Sequence, residues 1–120
     1  MTLAEQSLER KPLRELRVWM AEHLTGDLSV PALAKRVAMS PRNFQRVFTS
    51  SMGKSPARYV EELRIETARR LLERTTLSMD EIADHCGFSS PDVLSRAFTR
   101  VLRLTPGEYR SRFRSSGIRS

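Results

Sequence analysis

Apolar residues recur at spacings of three and four along nearly the whole chain, and no stretch alternates apolar with polar. That period places them on single helix faces. Pro12 suits a first helical turn, and Leu13, Leu16, Met20 and Leu24 follow as a stripe, with Trp19 beside them as an expected core anchor. Gly26 ends this helix. Ser29 is a good N-cap for a short helix with Val30, Leu33, Ala34 and Val37. Ser40 and Pro41 open a third helix that buries Phe44, Val47, Phe48 and Met52 and stops at Gly53. Ser55 and Pro56 open a long helix to Arg74, with Tyr59, Val60, Leu63, Ala68, Leu71 and Leu72 on its stripe. Ser78 and Glu81 form a capping box ahead of Ile82, Ala83 and Cys86, and Gly87 makes a turn. Ser90 and Pro91 start a helix with Leu94, Ala97, Phe98, Val101 and Leu102 inside. Thr105, Pro106 and Glu108 start the last, with Tyr109 and Phe113 inward. The pattern predicts an all-α protein.

The pattern also repeats. Residues 40–59 read SPRNFQRVFTSSMGKSPARY and residues 90–109 read SPDVLSRAFTRVLRLTPGEY. At an offset of fifty, Ser40/Ser90, Pro41/Pro91, Arg46/Arg96, Phe48/Phe98, Thr49/Thr99, Pro56/Pro106 and Tyr59/Tyr109 are identical. Upstream the offset is 49, matching Leu28/Leu77, Ser29/Ser78 and Ala34/Ala83. The one-residue slip falls where Gly87-Phe88-Ser89 replaces Ala38-Met39. Each copy is a short helix, a tight turn and a second capped helix, which is a helix-turn-helix unit occurring twice.

Such a unit suits duplex DNA. The major groove, about 12 Å wide, admits one α-helix, and the second helix of the unit presents its N-terminal residues to base edges. With the apolar stripe of 40–52 turned inward, Arg42, Asn43, Gln45 and Arg46 face out as candidate base readers. Arg pairs with guanine edges and Gln or Asn with adenine. In the second copy the candidates are Asp92, Ser95 and Arg96, where Asp92 either repels phosphate or accepts from a cytosine amino group. Ser40, Thr49, Ser50, Ser90, Thr99, Arg100 and Arg110 are the candidate phosphate contacts.

Charge strengthens this picture. Lys and Arg number 21 against 14 acids, for a net charge of +7, and only Lys11, Lys35 and Lys54 are lysines. The arginine fork bonds phosphates and guanine bidentately. One cysteine in 120 residues excludes an internal disulfide or a multi-cysteine metal site and fits a reducing, cytoplasmic compartment. No apolar run is long enough for a membrane span. His85 and Cys86 are sequence neighbours, which on a helix do not face each other, so Cys86 reads as core rather than nucleophile. No catalytic, metal or cofactor constellation is present in the sequence. A second class, a basic adapter that binds RNA or RNA polymerase without reading DNA, fits the charge. It lacks the exposed aromatic platforms RNA modules use, because the aromatics here lie on buried stripes.

The chain resembles the C-terminal DNA-binding domain of the AraC/XylS family of bacterial transcription regulators. The resemblance spans roughly residues 13–113 and is carried by LSVPALAKRVAMSPRNFQRVFTSSMGKSPARYV, ELRIETARRLL, IADHCGFSS and RAFTRVLRLTPGEYR. It implies about seven helices in two helix-turn-helix subdomains joined by a long linker helix. It also implies a monomeric unit that lays both recognition helices on one face of DNA. The expected organisation is a flexible tail at 1–10, a first subdomain at 11–55, a linker helix at 56–74, a second subdomain at 75–114 and a flexible tail at 115–120. Family members commonly carry an N-terminal sensor or dimerisation domain that does not fit within 120 residues. The chain is therefore expected to be a stand-alone regulator, or a fragment that dimerises through a missing sensor domain. The chain departs from the family pattern at Leu94 and Leu102, where Phe is usual, at Thr99, where Lys is common, and at Arg103, where Gly commonly ends the helix.

Overall fold

A computed structural model describes the backbone of residues 3–117 and the side chains of residues 11–114. Among the described residues there are seven helices and no strand: α1 (Leu3–Glu22), α2 (Val30–Arg36), α3 (Pro41–Met52), α4 (Pro56–Arg74), α5 (Met79–Cys86), α6 (Pro91–Leu102) and α7 (Pro106–Gly117). The all-α expectation holds, with two differences at the ends. The segment expected as a tail at 1–10 is helical from Leu3, and Pro12 lies inside α1 rather than at its start. Residues 3–11 are almost entirely good helix formers, and that propensity extends the helix past the bond Pro12 cannot donate. The expected tail at 115–120 continues α7 as far as Gly117, and its last residues lie outside the described part.

Local chemistry sets each start. Ser29, Ser40, Ser78 and Ser90 sit in extended conformation and accept from the backbone N–H three residues on. The Ser55 hydroxyl does the same for Arg58 N–H, at 3.2 Å. Both expected capping boxes form. Glu81 N–H donates to Ser78 Oγ at 3.2 Å while Ser78 N–H donates to Glu81 Oε1 at 2.9 Å. Thr105 and Glu108 repeat the exchange at 3.0 and 2.9 Å. Each cap satisfies a donor the helix leaves open and contributes about 1 kcal/mol.

The chain divides into two compact units, residues 1–60 and 61–120, so α4 gives its first turn to one and the rest to the other. In the first unit Leu13, Leu16, Met20, Leu24, Leu28, Leu33, Ala34, Phe44, Val47, Phe48 and Val60 are buried. Phe48 packs against Phe44 at 5.5 Å between ring centroids and edge-on against Tyr59 at 5.4 Å. The second core holds Ile65, Ala68, Leu72, Ile82, Ala83, Cys86, Leu94, Ala97 and Phe98. Phe98 meets Tyr109 edge-on at 5.7 Å, repeating the Phe48–Tyr59 pair. With Leu94 in the place of Phe44, the second core lacks the other aromatic partner.

Several apolar residues expected inside are not fully buried, among them the half-buried Val30, Val37, Met52 and Leu63. Val101 and Phe113 are 38% and 39% exposed, while Leu102, next to Val101, packs against the second core. Trp19 is half-buried on the surface of the first unit: the His23 ring stacks on it at 4.3 Å and the Arg36 guanidinium lies 3.6 Å from the ring centroid. Ile65, left off the stripe read from sequence, is buried.

Candidate nucleic-acid interface

In each unit a short helix and a recognition helix are joined by a turn held by one backbone bond across five residues. Met39 N–H donates to Ala34 O at 3.0 Å in the first, and Phe88 N–H to Ala83 O at 2.9 Å in the second. The residue just before takes the left-handed conformation in both: Ala38 at φ 56° and Gly87 at φ 85°. The inserted Ser89 then lengthens the second turn, and Ser90 caps α6 at φ −161° where Ser40 caps α3 at φ −67°.

Burial of Phe44, Val47 and Phe48 fixes the rotation of α3 and leaves Arg42, Asn43, Gln45, Arg46, Thr49 and Ser50 exposed together with the cap Ser40. Ser40, Arg42, Asn43 and Arg46 line a notch of about 390 Å³ at the N-terminal end. Within it Arg46 Nη2 donates to Asn43 Oδ1 at 2.7 Å, which points the guanidinium along the helix. The first turn of α3 carries no acid. The notch therefore combines two guanidinium groups with the positive end of the helix dipole, a setting that attracts phosphate and the acceptor edge of guanine.

On α6, burial of Leu94, Ala97 and Phe98 leaves Asp92, Arg96, Thr99 and Arg100 exposed and Ser95 and the cap Ser90 half-buried. Val93 takes the place of Asn43 and offers no acceptor to Arg96. Asp92 sits in the first turn of α6. Its charge favours the helix dipole and, by the same field, weakens the attraction of that helix end for phosphate. Arg100 Nη2 donates to Glu61 Oε2 on α4, a partner that no local pattern announces because 39 residues separate them.

One expected phosphate contact is reassigned. Arg110 is half-buried and gives all three of its nitrogens to backbone carbonyls in the last turn of α4 and just beyond it. Nε reaches Leu72 O at 3.3 Å, Nη1 reaches Leu77 O at 2.8 Å and Nη2 reaches Thr75 O at 3.2 Å. Arg114 adds a bond to Thr75 O at 3.1 Å. Leu72 O lies in the last turn of α4 and Thr75 O just past it, where positive charge is favoured. Arg110 is a structural clamp, and it is removed from the candidate interface. Arg69, on the charged face of α4, is held similarly, by Glu66, by Glu73 and by Tyr109 Oη at 3.2 Å, while the Tyr109 hydroxyl donates to Glu73. The Arg69 bond holds the Glu66 carboxyl below its usual range.

Cys86 is fully buried, and burial pushes its thiol up to about 11 against the downward pull of Arg64 and Arg70. That is the opposite of an activated nucleophile. Among the described residues, no three His, Cys, Asp or Glu side chains stand together as metal ligands, and no helix is long and apolar enough to cross a membrane.

A helix-turn-helix domain family matches residues 33–112, from the short helix of the first unit to the clamp of the second. The chain belongs to the AraC/XylS family. The HTH-type transcriptional regulator Rv1931c of Mycobacterium tuberculosis is 47% identical over 81 residues, covering 68% of this chain and 31% of that protein. The HTH-type transcriptional activator RhaS of Escherichia coli is 33% identical over 98 residues, covering 82% of this chain and 35% of the activator. The chain thus spans about a third of the length of these relatives. The crystal structure of the DNA-binding domain of AdpA, a global transcriptional factor, in complex with a target DNA is similar with a TM-score of 0.84 and 41% identity. That likeness covers 88% of this chain and 95% of the other. An AraC-type regulator from Chromobacterium violaceum follows at a TM-score of 0.79 and 33% identity, covering 87% of this chain and 93% of that one. As an AraC/XylS-type domain, the chain is a sequence-specific DNA-binding module of transcription regulation.

Proposed function

We propose that this AraC/XylS-type domain reads an asymmetric duplex site by placing α3 and α6 in successive major grooves. The observation that carries it is the outward face of α3: Arg42, Gln45 and the Asn43-braced Arg46, around an acid-free helix start. In this reading Arg42 and Arg46 take guanine edges and Gln45 an adenine. Arg96 takes a guanine in the second half-site, with Ser95 and Asp92 beside it. Ser40, Thr49, Ser50, Ser90 and Thr99 hold phosphates and set the register, as does Arg100 when it leaves Glu61. The two faces differ in sequence and follow one another in one chain. Their half-sites therefore differ and run in tandem, where a symmetric dimer would read a palindrome.

The module works as a monomer on DNA in the cytoplasm, beside RNA polymerase, and performs binding without catalysis. The alternative, an adapter for RNA or polymerase without sequence readout, leaves the base-reading set on α3 without a purpose. Selection of bound duplexes from a random library at two salt concentrations tests both. The expected result is an asymmetric site of about two helical turns, with log K falling against log salt at a slope near −5 to −7 for about 6–8 phosphates. Equal affinity for selected and scrambled duplexes, or a flat salt response, would overturn it.

A further inference from the structure

The second recognition helix carries a cation that the first lacks. At an offset of fifty, Arg100 stands where the first copy has Ser50. That cation is held by the protein itself, through the bond from Arg100 Nη2 to Glu61 Oε2. The side chains are 60% and 32% exposed, so the guanidinium is open to solvent beside the carboxylate that holds it. An ion pair this exposed is weak. A phosphate is an equivalent acceptor for the same fork, and the Glu61 carboxylate repels it. Nearby acids of α4 are engaged elsewhere, since Glu66 and Glu73 both bond Arg69.

We propose that Glu61 is an internal substitute for a DNA phosphate that keeps Arg100 on the protein and lowers the backbone grip of the second unit. Glu61 is a positioning residue: it acts through Arg100 and touches no base. With Asp92 at the start of α6, two acids oppose the two arginines of this helix. The sequence of α3 contains no acid at all. The first unit therefore binds any backbone, whereas the second depends more on its base contacts. This lowers affinity for any duplex, cognate or not, by the same factor. The inference rests on the DNA-binding reading above.

The test needs no knowledge of the operator, because a phosphate contact is independent of sequence. The probe is a mixed-sequence duplex of about 30 base pairs, roughly three turns, titrated between about 50 and 200 mM salt. Glu61→Gln is expected to tighten binding about three- to tenfold at the low-salt end and to steepen the salt slope by about 0.9, one additional phosphate. Arg100→Gln is expected to abolish the gain in the Glu61→Gln background. Glu61→Ala, which keeps no hydrogen bond, should match Glu61→Gln, and thermal melting of each variant shows that the fold is retained. A duplex that no form of the protein binds would overturn the DNA-binding reading itself. Binding that Glu61→Gln leaves unchanged would overturn the proposal alone, as would a gain that persists after Arg100→Gln.

Discussion

In the first unit Ala38 makes the turn between the paired helices at φ 56°, and the recognition helix ends on Gly53 at φ 75°. In the second, Gly87 makes the turn at φ 85° and Arg103 ends the helix at φ 62°. The left-handed conformation is thus present at both positions of both units, but glycine occupies only one of the two each time, and not the same one. The hydrogen bonds are equivalent: Gly53 N–H to Thr49 O at 2.9 Å, and Arg103 N–H to Thr99 O at 2.8 Å. Capping and packing fix the backbone, and the residue found there bears the strain. The reading faces diverge within the same frame. Arg46 is braced by Asn43 while Arg96 follows Val93, and Ser50 is neutral while Arg100 is held by Glu61.

The comparison breaks most visibly at the aromatic cores. Phe48 meets both Phe44 and Tyr59, whereas among the described residues Phe98 pairs with Tyr109 and has Leu94 in the place of Phe44. Truncating either to Ala is expected to cost about 3–5 kcal/mol, with Phe48→Ala at the upper end. Urea melts of the two variants, followed by Trp19 fluorescence for the first unit and by far-ultraviolet circular dichroism for both, measure the difference. A larger loss from Phe98→Ala would show that the second core is the tighter one.

Alkaline pH separates the units next. Cys86 is buried at the place where the first copy has the half-buried Val37. Its folded thiol lies at about 11, above the ordinary value of about 8.5 for an unfolded chain. The folded state therefore keeps a proton that the unfolded state releases. The associated stability is complete below about pH 8.5 and is lost as pH rises towards 11, at about 1.4 kcal/mol per unit. Tyr109 is shifted upward too, first by burial and then by its bond to Glu73, and adds to the loss at the alkaline end. Denaturant melts across this window should show the second unit weakening while the first does not. Cys86→Val should flatten the response. A profile unchanged by that substitution would assign the loss to other groups.

Much of this architecture is legible in sequence because it is written locally. A hydroxyl followed by proline, or by Glu three residues later, satisfies helix donors within one turn. Every start from α2 to α7 was visible for that reason, and so was the repeat. The misreadings share one cause. A helical stripe shows which residues align, not how far a neighbouring element extends over them, so the pattern alone puts Trp19, Val101 and Phe113 inside. Likewise the roles of Arg110 and Glu61 depend on partners 33 to 39 residues away. Of the recognition faces, rotation was readable from the buried Phe44, Phe48, Leu94 and Phe98. Which cation is available to DNA was not, because that depends on long-range ion pairs.

On DNA, the asymmetry of the braces predicts unequal losses. Arg46→Ala is expected to cost about 1–3 kcal/mol of binding and to relax preference at one or two base pairs. Arg96→Ala should cost less, since Arg96 meets its base without a preset orientation and beside Asp92. Affinity measured over a panel of single-base variants of a selected duplex separates the two. A uniform loss over the panel would mark Arg46 as a phosphate contact.

The smallest effect tests the exchanged glycines themselves. A left-handed L-residue costs about 1–2 kcal/mol; glycine removes that strain, and the greater freedom of its unfolded chain offsets part of the gain. Ala38→Gly and Arg103→Gly should therefore each stabilise their own unit by about 0.5–1 kcal/mol. The reverse change, Gly53→Ala, should destabilise by about 1 kcal/mol. It does so purely through backbone strain, because an added Cβ at Gly53 meets no atom within 4 Å. The two stabilising changes lie in different units, so their effects should add. Chemical denaturation of the singles and the double decides. If Arg103→Gly proved destabilising where Ala38→Gly stabilised, the Arg103 side chain would have to contribute more to the folded second unit than its exposed position suggests. The symmetry between the two strained sites would then be one of geometry and not of energy.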